Sequence, residues 1–209
     1  MRVYTSYTPG VKDMLNLLQK SAEGLEDVEI VACLFEGDTD AVLGQTETGG
    51  YQALMLKRWQ MLPSLIKDNI GSNIVWLDLD CVFNNRNKRF TPTINSLLED
   101  HDFVFQYDPN TGLGRHLNTG IMGIKCSEKT LALTEQCVDD ISNTMPQHRR
   151  AGYPLLEWNE VFSKYPDYEA TYCILPRDFG YTTRGCVIYH AIGCDDKTSA
   201  LQTALNSFS

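Results

Sequence analysis

Basic side chains are scarce in this sequence of 209 residues. It has 18 lysines and arginines against 27 aspartates and glutamates, which leaves a net charge of −9. The densest basic stretches, Arg86–Arg89 and His148–Arg150, are short. A protein that binds DNA or RNA needs a basic surface to neutralise the phosphate backbone. We therefore expect no nucleic-acid partner, and any smaller anionic ligand needs a local source of positive charge.

Long apolar runs and paired cysteine motifs are also missing. No stretch approaches the ~20 apolar residues of a membrane-spanning helix, and Met1–Gly10 does not resemble a secretory signal. Seven cysteines are scattered without a Cys-x-x-Cys pair, so zinc is disfavoured, and their odd number is typical of a reducing compartment. We expect a monomer without a membrane span in the cytoplasm, or in the host cytoplasm if the protein is viral.

Apolar strands alternate with amphipathic helices in the first half of the chain, a pattern typical of parallel βαβ units. The strands are predicted at Val3–Tyr7, Glu29–Phe35, Asn73–Phe83, Phe103–Tyr107, Leu117–Lys125, Tyr172–Leu175 and Cys186–His190, and the main helices at Val11–Ala22, Tyr51–Ile70, Glu128–Asn143 and Leu155–Lys164. The segment Glu36–Gly50 is predicted to be a loop, and the residues after His190 a polar tail. No linker-like change in composition interrupts the chain. We predict one α/β domain over residues 1–209, with a mostly parallel central sheet flanked by helices.

Two aspartates, Asp78 and Asp80, lie in the second half of the strongest predicted strand, after the apolar run Ile74–Leu77. Residues two apart in a strand face the same side, so the carboxylates would converge. They would repel each other unless a cation lay between them, and Mg²⁺ or Mn²⁺ prefers oxygen ligands. Open α/β sheets also bind ligands where their strands end. The pair predicts a divalent cation site, and the alternative is a surface pair that caps the next loop.

Four features resemble those of the nucleotide-sugar glycosyltransferases of the GT-A fold: the end of the first strand, the Asp-x-Asp, an Asn-Thr-Gly segment and a late histidine. In that order they are Thr5, Ser6 and Tyr7; Asp78, Leu79 and Asp80; Asn118, Thr119 and Gly120; and His190. The resemblance covers most of the chain. It implies that the first set seats the nucleoside, that the third lines the donor-sugar pocket, and that Asp78, Asp80 and His190 hold Mn²⁺ or Mg²⁺.

The resemblance also implies the reaction. A sugar would move from a UDP-sugar donor to a hydroxyl group of an oligosaccharide or glycoprotein-glycan acceptor, with inversion or retention left open. Residues 1–83 would form the nucleotide-binding half, and residues 84–209 the half for the donor sugar and the acceptor. Within the family the chain resembles the amino-terminal glycosyltransferase domain of a chlorella virus multidomain protein, which implies glucose or a deoxyhexose such as rhamnose as the donor sugar.

Many members of the family carry an acidic residue on a short helix facing the sugar. The matching stretch here begins at Glu157, which the resemblance implies is the catalytic carboxylate, and Glu160 competes for that role. In an inverting enzyme this carboxylate is the base that activates the acceptor hydroxyl. The alternative for Glu157 is an exposed glutamate that the helix dipole favours at a helix start.

Positive charge for the leaving diphosphate is expected from Arg58, with Lys57 as the alternative. Either side chain could instead be a solvated charge on a helix surface. In the loop after the second strand, Asp38 is a candidate contact to the base or the sugar, although a loop aspartate more often serves the turn itself.

Two other functions remain open at this point. The stretch Asp78–Val82 loosely fits the first motif of haloacid dehalogenase-like phosphatases, but in that family the motif strand normally opens the domain. A non-catalytic domain that binds a nucleotide-sugar or a glycan is the other alternative, because Glu157–Ser163 departs from the family pattern at three positions, where glutamate, tryptophan and serine replace aspartate, glutamine and asparagine. Release of UDP from a nucleotide-sugar in the presence of Mn²⁺ would distinguish the three functions.

Overall fold

The structure, a computed structural model, describes residues 1–35, 49–107, 117–148, 158–180 and 185–208. Within these ranges the strands are β1 Arg2–Tyr7, β2 Glu29–Leu34, β3 Asn73–Leu77, β4 Cys81–Phe83, β5 Phe103–Tyr107, β6 Leu117–Lys125, β7 Tyr172–Ile174, β8 Phe179–Gly180 and β9 Ile188–His190. The helices are α1 Lys12–Ala22, α2 Gly49–Lys67, α3 Phe90–Asp100, α4 Glu128–His148, α5 Trp158–Lys164 and α6 Lys197–Phe208. Most of the predicted loop Glu36–Gly50 lies outside the described residues.

The central sheet has six strands in the order β2-β1-β3-β6-β5-β7. Strand β1 pairs in parallel with β2 and β3, and β5 pairs in parallel with β7. Strand β6 is antiparallel to both of its neighbours, β3 and β5, so five strands share one direction and β6 alone is reversed. The predicted mostly parallel α/β sheet is therefore confirmed. The carboxyl ends of β1, β3 and β5 and the amino end of β6 lie at the same edge of this sheet.

Helices cover both faces of the sheet, because side chains alternate between the faces along each strand. On β1, Val3 belongs to the core that includes residues of α1, α3 and α6, whereas Tyr4 belongs to the core that includes residues of α2, α4 and α5. Each face therefore has its own apolar core. None of the described helices combines the length and the apolar character that crossing a membrane requires.

The prediction of one strand over Asn73–Phe83 is wrong. The chain forms β3 in the central sheet and then β4 in a second, three-stranded sheet of order β4-β9-β8, with Asp78, Leu79 and Asp80 as the turn between them. The alternation of side chains holds only within a strand. It therefore does not govern Asp78 and Asp80, and their side chains engage different partners.

The prediction of a polar tail after His190 is also wrong, because α6 lies there. The helix buries Leu201, Ala204 and Phe208, spaced three and four residues apart, against the core that includes α1 and β4. Serine, threonine and asparagine make up much of its remaining surface, so its apolar stripe is narrow and easily missed in the sequence.

Asp102 joins the start of β5 to α4 and to the segment before β7. Its Oδ2 accepts hydrogen bonds from Thr171 N at 2.8 Å and from Thr171 Oγ1 at 3.0 Å, and lies 2.7 Å from Lys129 Nζ. Burial on its own would raise the pKa of Asp102, but the bonds from Lys129 and Thr171 outweigh it and hold the pKa below its usual range. The ionised form is therefore the one that the fold stabilises.

We predict that Asp102→Asn destabilises the protein at pH 7 by about 1.5–3 kcal/mol, the range for hydrogen bonds to a charged group. A lowered folded-state pKa contributes stability above the unfolded value of ~3.9, and this contribution is lost as the pH falls below it. In urea unfolding, the difference in the free energy of unfolding between the variant and the parent should therefore become smaller below about pH 4. Asp100→Asn, at an exposed position of α3, is the matched control. A loss of stability in Asp102→Asn that does not change with pH would contradict the stabilising role of the ionised carboxylate.

Candidate active site at the Asp78–Asp80 turn

The turn between β3 and β4 is held by two backbone hydrogen bonds. Asp78 N donates to the carbonyl oxygen of Gly120 at 2.8 Å, and Ala191 N donates to that of Asp80 at 2.9 Å. The first bond ties the turn to β6, and the second ties it to the residue that follows β9. Three of the four segments singled out in the sequence therefore meet at this edge of the sheet.

The Asp80 carboxylate is almost fully enclosed, with 7% of the residue exposed. Its Oδ1 lies 3.1 Å from Nε2 of His190, and its Oδ2 accepts a hydrogen bond from Nζ of Lys197. Burial alone would raise the pKa of Asp80, but His190 and Lys197 more than offset this effect and hold the pKa well below its usual range. The site therefore contains a buried carboxylate that stays ionised.

The imidazole of His190 lies close against the backbone of β6 at Gly120. A Cβ atom added at Gly120 would come within 2.0 Å of its Cε1 and 2.5 Å of its Nδ1, far inside contact distance. The amide of Gly120 also donates to Oδ1 of Asn118 at 2.7 Å. Glycine at position 120 is thus what lets the histidine reach the turn.

Asp80, Cys81 and His190 form a set of potential metal ligands. One ligand atom from each lies within 4.8 Å of the other two. Cys81 and His190 are direct partners in the antiparallel β4–β9 ladder, which places both beside the turn. A carboxylate oxygen and an imidazole nitrogen fit a divalent cation such as Mn²⁺, and the buried thiol is a softer donor. Asp78 is not a member of this set.

Asp78 has its own cationic partner. Arg58 on α2 donates from Nη1 to Asp78 Oδ1 at 2.9 Å and from Nη2 to the carbonyl oxygen of Thr119 at 2.6 Å. The guanidinium also lies 4.9 Å from the centre of the Trp76 ring, and the residue is 8% exposed. Arg58 therefore connects α2, the turn and β6. The predicted contact of Arg58 with a diphosphate stays a prediction.

The other predicted residues fall into two groups. Thr5 is fully buried near the end of β1, and its Oγ1 has no hydrogen-bond partner among the described residues. Ser6 and Tyr7 follow it and are partly exposed at the same edge of the sheet. Asp38 and Glu157 lie outside the described residues, and the competing Glu160 is exposed on α5. The choice between Glu157 and Glu160 therefore remains open.

Two polar residues of the site were missed in the sequence, the half-buried Lys197 and the buried Gln106. Lys197 directly follows an acidic pair and looks like an ordinary surface lysine. Gln106 is fully buried in β5, and its Oε1 lies 2.8 Å from Nδ1 of His190. A single amide within the apolar run Phe103–Tyr107 was the available signal, because buried polar groups need a specific partner.

Comparisons with known proteins show the family and the fold of the chain. The model of a family described as nucleotide-diphospho-sugar transferase matches residues 20–197. No curated protein sequence matches the chain significantly. Among solved structures, a glycosyltransferase involved in the glycosylation of the major capsid of PBCV-1 matches with a TM-score of 0.65 at 12% identity, over 97% of this chain and 98% of that one.

Two other glycosyltransferases have the same fold. The galactosyltransferase LgtC, solved with donor and acceptor sugar analogues, matches with a TM-score of 0.60 at 13% identity, over 100% of this chain and 95% of its own. The glycosyltransferase GlyE of Streptococcus pneumoniae TIGR4 matches with a TM-score of 0.55 at 11% identity, over 97% of this chain and 59% of its own. At these identities the likeness shows the fold alone, and that fold is the GT-A fold.

We predict that Gly120→Ala destabilises the protein by about 1–3 kcal/mol, the usual range for overpacking a well-packed interior. The added methyl group would occupy the place of the His190 ring, so the ring must move away from Asp80. Urea unfolding measures the loss. Gly10→Ala is the matched control, because a Cβ atom there meets nothing within 4 Å.

The double variant Gly120→Ala/His190→Ala separates this clash from a general effect of the substitution. Removal of the ring frees the space, so Gly120→Ala should cost much less in the His190→Ala background. An equal cost in both backgrounds would show that the imidazole is not what the methyl group meets.

Proposed function

The chain belongs to the nucleotide-diphospho-sugar transferase family, and we propose that it is a metal-dependent glycosyltransferase that moves a sugar from a UDP-sugar to a glycan hydroxyl. The observation that carries the proposal is the buried, ionised Asp80 beside His190, at the edge of the sheet where the carboxyl ends of β1 and β3 meet. Ligands of open α/β sheets bind at this edge.

The chemistry of the donor set supports a divalent cation at the turn. Asp80 and His190 would hold it, with Asp78 as a further ligand whose side chain is 34% exposed. Oxygen and nitrogen donors together suit Mn²⁺ better than Mg²⁺, which takes mainly oxygen ligands. When bound, the cation supplies positive charge that stabilises the leaving diphosphate.

The residues of this chain have distinct proposed roles. Arg58 holds Asp78 in place through their ion pair, and Arg58 and Lys197 add positive charge beside the turn. Thr5, Ser6 and Tyr7 would border the nucleoside at the end of β1, and Asn118 and Thr119 would border the sugar. Residues 1–83 then form the nucleotide-binding half, and residues 84–209 the half for the sugar and the acceptor.

For the donor sugar we propose glucose or a deoxyhexose such as rhamnose, and for the acceptor an oligosaccharide or a glycoprotein glycan. The proposed donor sugar rests on the resemblance described in the sequence analysis. The glycan acceptor is supported by the fold shared with a glycosyltransferase involved in the glycosylation of the major capsid of PBCV-1 and with LgtC, a galactosyltransferase solved with donor and acceptor sugar analogues. A screen of UDP-sugars that measures UDP release identifies the donor.

We predict that Asp80→Asn lowers Mn²⁺-dependent UDP release by more than ~100-fold. Loss of a residue behind the metal ligands usually costs up to ~100-fold, and Asp80 is proposed to bind the metal directly. The amide keeps the shape of the side chain but lacks the negative charge that attracts the cation. The exposed Asp195→Asn on the loop before α6 is the matched control and should retain activity. Activity that persists with a chelator, or metal-independent hydrolysis of a simple phosphate ester, would contradict the proposal.

The catalytic carboxylate is proposed to be Glu157. It directly precedes Trp158, which is 4% exposed and whose indole stacks on Trp59 of α2 with 5.0 Å between ring centres. This contact anchors the start of α5. In an inverting reaction the oxygen of the acceptor hydroxyl would attack the anomeric carbon, and Glu157 would take the proton from that hydroxyl.

We predict that Glu157→Gln lowers kcat for transfer by about 10²–10⁴-fold, the usual contribution of a general base. Donor binding, measured by calorimetry with UDP and Mn²⁺, should stay within a few-fold because the substitution leaves the turn intact. Glu160→Gln, three residues later in the sequence, is the matched variant. Loss of transfer in Glu160→Gln with an active Glu157→Gln would reverse the assignment.

A further inference from the structure

Two large apolar side chains of β7 are exposed at the edge of the central sheet. Strand β7 is the last strand of this sheet and, within the described part of the chain, pairs only with β5. Tyr172 is 43% exposed and Ile174 is 36% exposed. They are two residues apart, so their side chains face the same side of the strand. Apolar groups that are exposed next to each other mark binding surfaces more often than those exposed singly.

This side of the sheet is the one that α5 covers. The ring of Tyr172 packs on that of Phe162 in α5, with 4.4 Å between the ring centres. At the start of the same helix, Trp158 lies 5.2 Å from the ring of Phe105 in β5. The proposed catalytic carboxylate, Glu157, directly precedes Trp158. The exposed pair on β7 therefore lies beside the helix that follows the proposed catalytic residue.

An unpaired cation follows β7. The guanidinium carbon of Arg177 lies 5.1 Å from the centre of the ring of Tyr107, the last residue of β5. Arg177 is exposed, and it forms no hydrogen bond or ion pair with any residue that the structure describes. The neighbouring Asp178 is paired with Arg89 instead. The ring of Tyr107 thus supports the guanidinium, whose charge and N–H groups stay available to a ligand.

The Arg177–Tyr107 pair lies at the edge of the sheet that carries the candidate active site. Strands β3 and β5 are both antiparallel to β6, so their carboxyl ends share this edge. Only β6 lies between them, and two strand spacings are about 10 Å. The nucleoside is proposed at β1, on the other side of β3. A group bound by Arg177 would therefore lie on the side of the turn where the sugar and the acceptor are proposed.

The free charge of Arg177 favours an anionic ligand. The chain has a net charge of −9, yet no carboxylate of the described residues neutralises this arginine. A planar guanidinium binds a carboxylate or a phosphate through two parallel hydrogen bonds. Such charge-assisted bonds are roughly twice as strong as those to a neutral hydroxyl group. Arg177 also supplies the local positive charge that an acidic protein needs to bind an acidic ligand.

We propose that the acceptor glycan lies along β7, with a sugar ring against Tyr172 and Ile174 and a carboxylate or phosphate group bound by Arg177. The acceptor is then an acidic oligosaccharide. This inference rests on the proposed function, in which the chain transfers a sugar to a glycan hydroxyl.

Three matched oligosaccharides that differ only in their last sugar, glucose, glucuronate or glucose 6-phosphate, test the class of acceptor. Calorimetry with and without UDP and Mn²⁺ measures their binding without requiring turnover. We expect an acidic oligosaccharide to bind about 10–100-fold more tightly than the neutral one, the usual effect of hydrogen bonds to a charged group. The two acidic probes distinguish a carboxylate from a phosphate. Equal affinity for all three would overturn the proposal.

Variants test the residues. Arg177→Met removes the charge and keeps much of the length, so the affinities for the acidic and neutral probes should come within a few-fold of each other. Arg86→Met removes the same charge from an exposed arginine before α3 and should keep the preference. A preference that persists in Arg177→Met would overturn the role of Arg177. Urea unfolding should show parent-like stability in Arg177→Met, because the side chain is exposed and unpaired.

The placement along β7 has its own test. Tyr172→Ala should weaken the binding of all three probes to a similar extent, because the ring contacts the sugar and not its acidic group. Ile174→Ser is a second variant of the same surface, in case Tyr172→Ala does not fold. Parent-like binding in both variants would overturn the placement.

The outcomes separate this inference from the proposed function. UDP release with the same kcat/KM for the neutral and the acidic acceptors would overturn the inference and leave the glycosyltransferase standing. A parent protein that binds the acidic probes through Arg177, but releases UDP from no UDP-sugar, would overturn the proposed function and leave the acidic-glycan site standing.

Discussion

The burial of one negative charge, on Asp80, constrains much of this structure. An ionised carboxylate that is 7% exposed must be paired, because removing it from water is costly. Its two partners come from distant parts of the chain: His190 ends β9, and Lys197 begins α6. The second sheet and the last helix deliver these side chains. The packing of α6 on α1 and β4 is thus tied to the same carboxylate as the site.

The structure changes the reason for expecting a cation. From the sequence alone, the expectation of a cation rests on the repulsion between two neighbouring carboxylates. In the structure each already has a cationic partner, Arg58 for Asp78 and Lys197 for Asp80, so their repulsion is offset by the protein itself. The argument for a cation rests instead on the donor set of Asp80 and His190. It also means that a cation at Asp80 has to compete with, or share the carboxylate with, Lys197.

The fold class and part of the site were predictable, because they depend on local patterns. Apolar runs gave the strands of a mostly parallel sheet, and the resemblance picked out Asp80, Gly120 and His190, which the fold brings together. The side-chain alternation that was applied to Asp78 and Asp80 failed because the chain leaves the strand at Leu77. Lys197 was out of reach because its partner is 117 residues away and nothing near it in the sequence marks the pairing. The roles of Asp38 and Glu157 remain predictions.

Two side chains of the site are positioned by close contact with the backbone of a glycine. The ring of His190 rests on Gly120, and the amide of Gln106 rests on Gly180, so at both positions any side chain would occupy the place of the functional group. The resulting chain of contacts runs from Gln106 through His190 and Asp80 to Lys197, and it connects the central sheet, the second sheet and α6. Because His190 and Asp80 are buried and each contacts two other members, neither can move far without breaking a hydrogen bond or an ion pair. The fold therefore holds its carboxylate and imidazole in one arrangement before any ligand arrives, which reduces the ordering that binding would otherwise require.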